Sequence, residues 1–136
     1  MNGEMMELKG RSISKGIVEG EVIVSKKPVS FLGGVNEDGT IIDKDSDIYG
    51  QSIANKIFVF PTGKGSTVGT YVIYGLAKNN ILKGIINEEG EPIVAAGCIL
   101  GKIPMVDGID IFQLKSGDIV VLDGNNGVVK IKKKGD

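Results

Sequence analysis

The stretch that decides the fold covers residues 56–80 and reads KIFVF, then PTGKGSTVG, then TYVIYGLAKNN. Its first five residues form a short and nearly continuous apolar run, which is typical of a strand that is buried on both faces. Pro61 ends this run, and a glycine-rich segment at residues 62–69 follows at once. Apolar residues then recur at three- and four-residue spacing. The stretch therefore predicts a buried strand, a glycine-rich loop and a helix, in that order.

The predicted helix carries one stripe of residues at helical spacing. They are Val68, Tyr71, Val72, Leu76 and Asn79. We expect this stripe to face the core, which would bury Tyr71, whereas Tyr74 lies nearer an interface. The pair Asn79 and Asn80 provides a C-terminal cap for the helix.

Short strands are predicted on the N-terminal side of this stretch. Residues 16–24 alternate between two sets with the two-residue period of a strand. One set is predicted to face a core, and it consists of Val18, Gly20, Val22 and Val24. The intervening residues, among them Ile23, are predicted to be more exposed. Residues 27–35 contain a proline and two glycines, and they predict a strand with a bend or a loop. Residues 36–47 are acidic and rich in turn formers, which indicates an exposed loop.

The C-terminal half is predicted to add one further helix and several strands. Residues 84–87 predict a strand, and residues 92–100 predict a buried helix that starts at Pro92 and ends at Gly101. Residues 105–106 and 109–112 are short strand candidates, and residues 118–122 and 128–131 predict a closing hairpin. We therefore expect one compact domain of mixed β and α structure over residues 1–136, and a β/β/α sandwich fits this pattern.

The composition excludes several classes of site. The formal net charge is −1, so nothing in the charge balance favours a nucleic-acid partner. The chain has no histidine and one cysteine, Cys98, so it holds neither a Ser-His-Asp triad nor a structural zinc site of its own. We expect Cys98 to be a small core residue. Without an apolar signal core or a long apolar run, the expected location is the cytoplasm, with no membrane partner.

One segment has the composition of a binding loop. In PTGKGST, residues 61–67, the glycines let backbone amides approach a bound group, and the helix N-terminus behind them favours negative charge. Lys64 adds a mobile cation. The segment matches neither the Walker A spacing nor GxGxxG. Ser66 either caps the helix or faces the bound group, and the residues alone leave both interpretations open.

The other polar candidates have simpler interpretations. Arg11 is the only arginine, and its guanidinium is suited to a carboxylate or a phosphate, although an ion pair at the surface or an interface is the favoured interpretation. Asp107 and Asp110 are interpreted as turn residues.

These features together resemble the small subunits of the aconitase X family of dehydratases. The resemblance centres on residues 50–69 and extends over nearly the whole chain. It includes Gly10-Arg11 with Gly16 and Gly20, the helix YVIYGLAKNN, the segment EPIVAAGCILGKIPMVD and the closing SGDIVVLDGNNGVV. Many relatives have GSSxGS in the loop, whereas Thr67 and Thr70 stand at the two later hydroxyl positions here. Both positions keep a hydroxyl, so we expect the activity to be unchanged.

The resemblance implies a fold, a reaction and a set of site residues. The fold is that of the swivelling domain of aconitase. The reaction is the dehydration of a 3-hydroxy acid, and in the archaeal mevalonate route for isoprenoids it converts (R)-5-phosphomevalonate to trans-anhydromevalonate 5-phosphate. Ser66 is implied to be the proton acceptor, with Gly63, Lys64, Gly65 and Thr67 binding substrate and stabilising charge.

The resemblance also implies a cofactor and a partner. The Lewis acid of the family is an iron–sulfur cluster, expected as 4Fe–4S, and a chain with one cysteine does not supply its ligands. We therefore expect a separate large subunit to carry the cluster, in a heterodimer or larger complex. Two alternatives stay open: a related dehydratase acting on another hydroxy acid such as cis-3-hydroxyproline, and a non-enzymatic swivelling interaction domain.

Overall fold

The computed structural model describes residues 6–133, in which strands and helices alternate along most of the chain. The strands are β1 (Met6–Lys9), β2 (Arg11–Ser14), β3 (Ile17–Val24), β4 (Lys56–Phe60), β5 (Leu82–Asn87), β6 (Met105–Asp107), β7 (Ile119–Asp123) and β8 (Val128–Lys133). The helices are α2 (Gly69–Lys78) and α3 (Pro92–Gly101), and a 3₁₀ turn covers Ile111–Gln113. The segment labelled α1 (Phe31–Gly34) is a kinked turn in which Leu32 and Gly33 have non-helical angles, so the bend or loop predicted within residues 27–35 is present. None of the helices described is long and apolar enough to span a membrane.

Strand β3 joins two differently built halves of one sheet, whose order is β1-β8-β7-β3-β4-β5-β6-β2. Its first part, Ile17 to Glu21, pairs antiparallel with β7, and its last part, Val22 to Val24, pairs parallel with β4. β4, β5 and β6 are parallel neighbours, and α2 and α3 provide the two crossover connections between them. The hairpin of β7 and β8 forms the other half with β1.

Two hydrophobic clusters show that the fold has three layers. Along β4, Phe58 and Phe60 belong to a cluster with residues of α2 and α3, whereas Ile57 and Val59 belong to a second cluster with residues of β7 and β8. Because side chains alternate along a strand, the parallel strands bury both faces, one against the helices and one against the antiparallel half. The expected β/β/α sandwich of mixed β and α structure is therefore confirmed.

Several predicted elements shift in the structure. Ile23 is 2% exposed rather than facing solvent, because its end of β3 enters the parallel half and packs beneath the helices. Residues 109–112 form no strand; Asp110 instead accepts a hydrogen bond from the Phe112 amide and starts the 3₁₀ turn. Helix α3 includes Gly101, and the left-handed residue that ends it is Lys102.

The predicted buried face of α2 is confirmed at Leu76 and Val72 and is wrong at Val68, Tyr71 and Asn79, because the helix is rotated about its axis. Ile73 and Leu76 are buried, whereas Tyr71 is 69% exposed and Val68 is 47% exposed. The close crossing of α3 explains the rotation: a β-carbon placed on Gly97 would lie 2.8 Å from the Ile73 β-carbon. The absence of a side chain at Gly97 lets α3 approach this face of α2, and Tyr71 then points away from the core.

The N-terminal strands β1 and β2 had no signal in the sequence, and β2 is fixed by an ion pair. The Arg11 Nε and Nη2 atoms donate to the two carboxylate oxygens of Asp107 at 3.0 and 2.8 Å, and the Gly90 amide donates to the same carboxylate at 2.9 Å. The ion pair favoured for Arg11 is therefore present. Asp107 lies in β6 and is buried, so it is more than a turn residue.

Because of this ion pair, the free energy of unfolding depends on pH in the acidic range. Burial raises the pKa of Asp107, but the hydrogen bonds from Arg11 and from the Gly90 amide, with the charge of Arg11, outweigh it and hold the pKa below its ordinary value. A carboxyl group whose pKa is lowered by folding stabilises the protein at pH values above its pKa in the unfolded chain, which is near 3.9. This stabilisation is lost as the pH falls through the pKa of the folded protein. We expect urea titrations of the wild type to show a larger loss on acidification below about pH 4 than those of Asp107→Asn. Equal acid sensitivity of the two proteins would contradict this assignment.

Candidate functional site

The glycine-rich loop after β4 is anchored at its base. The Val29 amide donates to the Thr62 carbonyl at 3.1 Å, and the Lys64 amide donates to the Val29 carbonyl at 3.0 Å. Gly63, between them, is buried, and a β-carbon placed there would overlap Val94 and lie 2.8 Å from Glu91 Oε2. The loop therefore starts in a position that only glycine fits.

The tip of the loop is exposed and bent at Gly65. Residues 64–68 are all exposed. The φ angle of Gly65 is +91°, in the left-handed region, and a β-carbon there would collide with Ser30. The predicted loop residues Gly63, Lys64, Gly65, Ser66 and Thr67 are thus together, with a packed base and a surface tip.

Ser66 forms a serine turn ahead of α2. Its Oγ accepts a hydrogen bond from the Val68 amide at 3.1 Å, and its carbonyl accepts one from the Gly69 amide at 2.9 Å. Val68 occupies the N-cap position of the helix and has no capping side-chain bond. Ser66 therefore orders the turn that leads into the helix, and its exposed position leaves it accessible to a ligand.

The two other hydroxyl positions of the loop differ in their surroundings. Thr67 is exposed at the tip, beside Ser66. The Thr70 hydroxyl donates to the Ile93 carbonyl at 2.8 Å, which ties the start of α2 to the start of α3. Thr67 is therefore available to a ligand, whereas Thr70 has a structural partner.

The electrostatic surroundings favour an anion at the tip. The N-terminal end of α2 follows Ser66, the first turn of α2 has no acidic side chain, and Lys64 is exposed beside it. Backbone amides and a helix N-terminus stabilise negative charge on a nearby oxygen. The arrangement is thus suited to a hydroxyl that must carry negative charge for part of a reaction.

Two polar side chains beneath the loop, the buried Asn87 and the half-buried Glu91, had no signal in the sequence that connects them with the loop. Asn87, at the end of β5, donates from Nδ2 to the Phe60 carbonyl at 2.9 Å and so fixes the end of β4. Glu91 caps α3 by accepting from the Ile93 amide at 2.6 Å, and its other oxygen lies against Gly63. Within residues 6–133, the Asn87 Oδ1 and Glu91 Oε2 atoms have no hydrogen-bond partner.

The carboxyl ends of the parallel strands bring several of these groups to one edge of the sheet. The Ser66 loop follows β4, residues 88–91 follow β5, and Asp107 ends β6. In open α/β sheets this is the edge where ligands bind. Arg11 lies on β2, three strand spacings or about 14 Å from β4, so it stabilises this edge at a distance from the loop.

The residues that the structure describes, 6–133, do not fit a metal or an iron–sulfur cluster. In the part of the chain that the structure describes, no group of three or more His, Cys, Asp or Glu side chains converges. Cys98 is fully buried in α3, as expected, and burial raises the pKa of its thiol well above the ordinary value. A thiolate ligand is therefore disfavoured at this position.

Comparisons with known proteins agree on one family. A family model described as the aconitase X swivel domain matches residues 7–131. The chain is 74% identical over 129 residues to the phosphomevalonate dehydratase small subunit of Methanocaldococcus jannaschii, covering 95% of this chain and all of that one.

Two solved structures are similar to it. A crystal structure of Thermococcus kodakaraensis aconitase X in its holo form superposes with a TM-score of 0.90 at 59% identity, covering 93% of this chain and 98% of that one. A 3-isopropylmalate dehydratase chain from Methanocaldococcus jannaschii superposes with a TM-score of 0.58 at 15% identity, covering 89% of this chain and 84% of that one. The second likeness concerns the fold alone.

Proposed function

The chain belongs to the aconitase X swivel-domain family, and from that membership we propose that it is the small subunit of a phosphomevalonate dehydratase, a hydro-lyase. In this proposal residues 1–136 act in the cytoplasm as one swivel domain, together with a large subunit. The observation that carries the proposal is Ser66, exposed on a loop that is fixed at its base and followed by a helix N-terminus.

The proposed reaction removes water from (R)-5-phosphomevalonate to give trans-anhydromevalonate 5-phosphate. Ser66 accepts the proton from the carbon next to the carboxylate, the electron pair of that C–H bond forms the new double bond, and the C–O bond of the neighbouring hydroxyl breaks. The large subunit would hold a 4Fe–4S cluster, which would supply a Lewis acid for the leaving hydroxyl. The proton and the hydroxide together account for the water lost.

A serine hydroxyl is a weak base, so the proposal needs the loop to stabilise its ionised form. The Val68 amide, which donates to Ser66 Oγ, and the positive end of the α2 dipole behind it are proposed to provide that stabilisation without a side-chain base. Gly63, Gly65 and Thr67 are proposed to hold the substrate against Ser66, and Lys64 to add positive charge from the exposed side of the loop.

Lys64→Met should lower kcat, but by less than the loss of Ser66, because backbone amides still stabilise the charge on Ser66. We expect a decrease of about 10-fold, the lower end of what one charged hydrogen bond contributes. Steady-state kinetics of the assembled pair measure it. A decrease as large as that of a Ser66 variant would make Lys64 the essential group.

The experiment that tests the function uses the assembled protein. The chain is co-expressed under anaerobic conditions with the large subunit from the same organism, and the purified pair is incubated with 5-phosphomevalonate. We expect the anhydro product from the pair, and neither product nor iron–sulfur absorbance from this chain alone. A stable, iron-containing complex that leaves this substrate unchanged would overturn the substrate assignment, and cis-3-hydroxyproline would then be tested next.

A further inference from the structure

We infer that an exposed apolar surface beside Ser66 is where the large subunit docks; this inference rests on the proposed function. The surface, here termed the docking face, consists of Leu32 in α1 and of Val68, Tyr71 and Tyr74 at the start and on the outer side of α2. The large subunit is its occupant in this inference, and another copy of this chain is the competing possibility.

The docking face is apolar and prominently exposed. Tyr71 is 69% exposed, Val68 47%, Leu32 45% and Tyr74 38%. Exposed apolar side chains that lie side by side mark interaction sites, and tyrosine is enriched at interfaces. Beside it, α1 and α2 enclose a groove of about 370 Å³ that Leu32, Tyr71 and Asn79 line.

One glycine in the wall, Gly75, has no structural reason other than the open groove. Gly33 and Gly75 both line the groove, and a β-carbon placed on either would meet nothing within 4 Å, but the φ of +83° at Gly33 by itself favours glycine. Gly75 stands in the middle of α2, where glycine costs helix stability relative to alanine. The internal packing of this chain does not demand glycine there, which is consistent with space kept for a side chain from outside.

Continuity with Ser66 identifies the occupant. The Val68 amide donates to Ser66 Oγ, so the edge of the docking face and the proposed proton acceptor share one turn. A large subunit that holds the substrate against Ser66 must approach over this turn, and it then covers Val68 and Tyr71. The Lys78 ammonium lies 5.8 Å from the centre of the Tyr74 ring, at one end of the face, and Glu37 lines the adjoining groove. We therefore expect partner charges of both signs around an apolar centre.

A second pair of exposed apolar side chains lies at the edge of the sheet opposite to Ser66. Ile99 and Leu100 are 57% and 56% exposed at the C-terminal end of α3. Since α2 and α3 both start at the carboxyl edge of the parallel strands, the end of α3 lies at the other edge, away from Ser66. A partner that encloses Ser66 has no need to contact this pair, so Leu100 provides a matched control.

The test measures assembly rather than activity. Tyr71→Glu, Leu32→Glu and Leu100→Glu are each mixed with the purified large subunit, and the dissociation constant is measured by biolayer interferometry. We expect Tyr71→Glu and Leu32→Glu to weaken binding by about 30-fold or more, as for the loss of a central interface residue, and Leu100→Glu to bind like the wild type. Unchanged circular dichroism and thermal unfolding would show that the variants fold.

Each other outcome overturns the inference. If the wild type binds and the pair is active, but Tyr71→Glu and Leu32→Glu bind equally well, the docking face is wrong while the proposed function stands. If the two variants only abolish self-association of this chain, the face joins two copies. If the wild type does not bind the large subunit, the proposed function fails and the inference fails with it.

Discussion

Ser66→Ala should lower turnover of the assembled enzyme by about 10²- to 10⁴-fold, the contribution of a positioned proton-transfer group. The substitution removes the oxygen that is proposed to accept the proton, and water has no fixed position from which to replace it. Ser66 lies at an exposed tip, and its side chain makes one hydrogen bond, to the Val68 amide, in residues 6–133. The variant should therefore fold, and kinetics of the purified pair measure the effect.

A second serine provides a matched control for this prediction. Ser52 is exposed and accepts a hydrogen bond from the Ala54 amide at 3.0 Å, the same serine turn that Ser66 makes with Val68. Ser52→Ala and Ser66→Ala should each lose about 0.5–1.5 kcal/mol of stability at most. Only Ser66→Ala should lose turnover. If both variants keep turnover near the wild-type rate, Ser66 serves the turn alone and the catalytic proposal is wrong.

Gly63→Ala should damage both stability and turnover, although it adds one methyl group at some distance from Ser66 Oγ. The new β-carbon would overlap Val94 and press against the Glu91 carboxylate, so the base of the loop must move. Overpacking of this kind costs about 1–3 kcal/mol. A displacement of about 1 Å at a reacting group is sufficient to slow a reaction about 100-fold. Urea unfolding and steady-state kinetics measure the two effects.

Gly75→Ala is the control for Gly63→Ala, and it should raise the stability of the isolated chain rather than lower it. A β-carbon at Gly75 meets nothing within 4 Å, and its helical position favours alanine, so the isolated chain should gain about 0.5–1 kcal/mol. If Gly63→Ala were as stable and as active as the wild type, the loop would not be held by its contact with Val94 and Glu91.

Strands and helices that are determined by residues within or next to them in the chain could be predicted from the sequence. The buried strand β4 follows from its apolar run, the hairpin of β7 and β8 from its turn residues, and the start of α3 from Pro92. What depends on distant neighbours was not predictable. The exposed side of α2 is decided by Gly97, 26 positions further along than Tyr71, which brings α3 against Ile73. Ile23 is buried because β3 changes partner from β7 to β4 along its length.

The same division holds for the candidate site. The loop itself was predictable, because its glycines, Lys64 and Ser66 are contiguous between a strand and a helix. The support beneath it was not, because Asn87 and Glu91 follow the next strand and reach the loop only through the parallel pairing of β4 with β5. A carboxylate next to a proline at the start of a helix predicts a cap, and nothing local predicts that its second oxygen touches Gly63.

The burial of Cys98 makes this chain convenient for spectroscopy. It is the only cysteine, and its raised thiol pKa and its full burial keep it unreactive towards thiol-directed reagents. A cysteine introduced on the surface, for example Lys115→Cys, would therefore take up a single spin label or fluorophore before the chain is mixed with its partner. Distances from that label to a second one on the partner would then record any rotation between the two proteins during turnover.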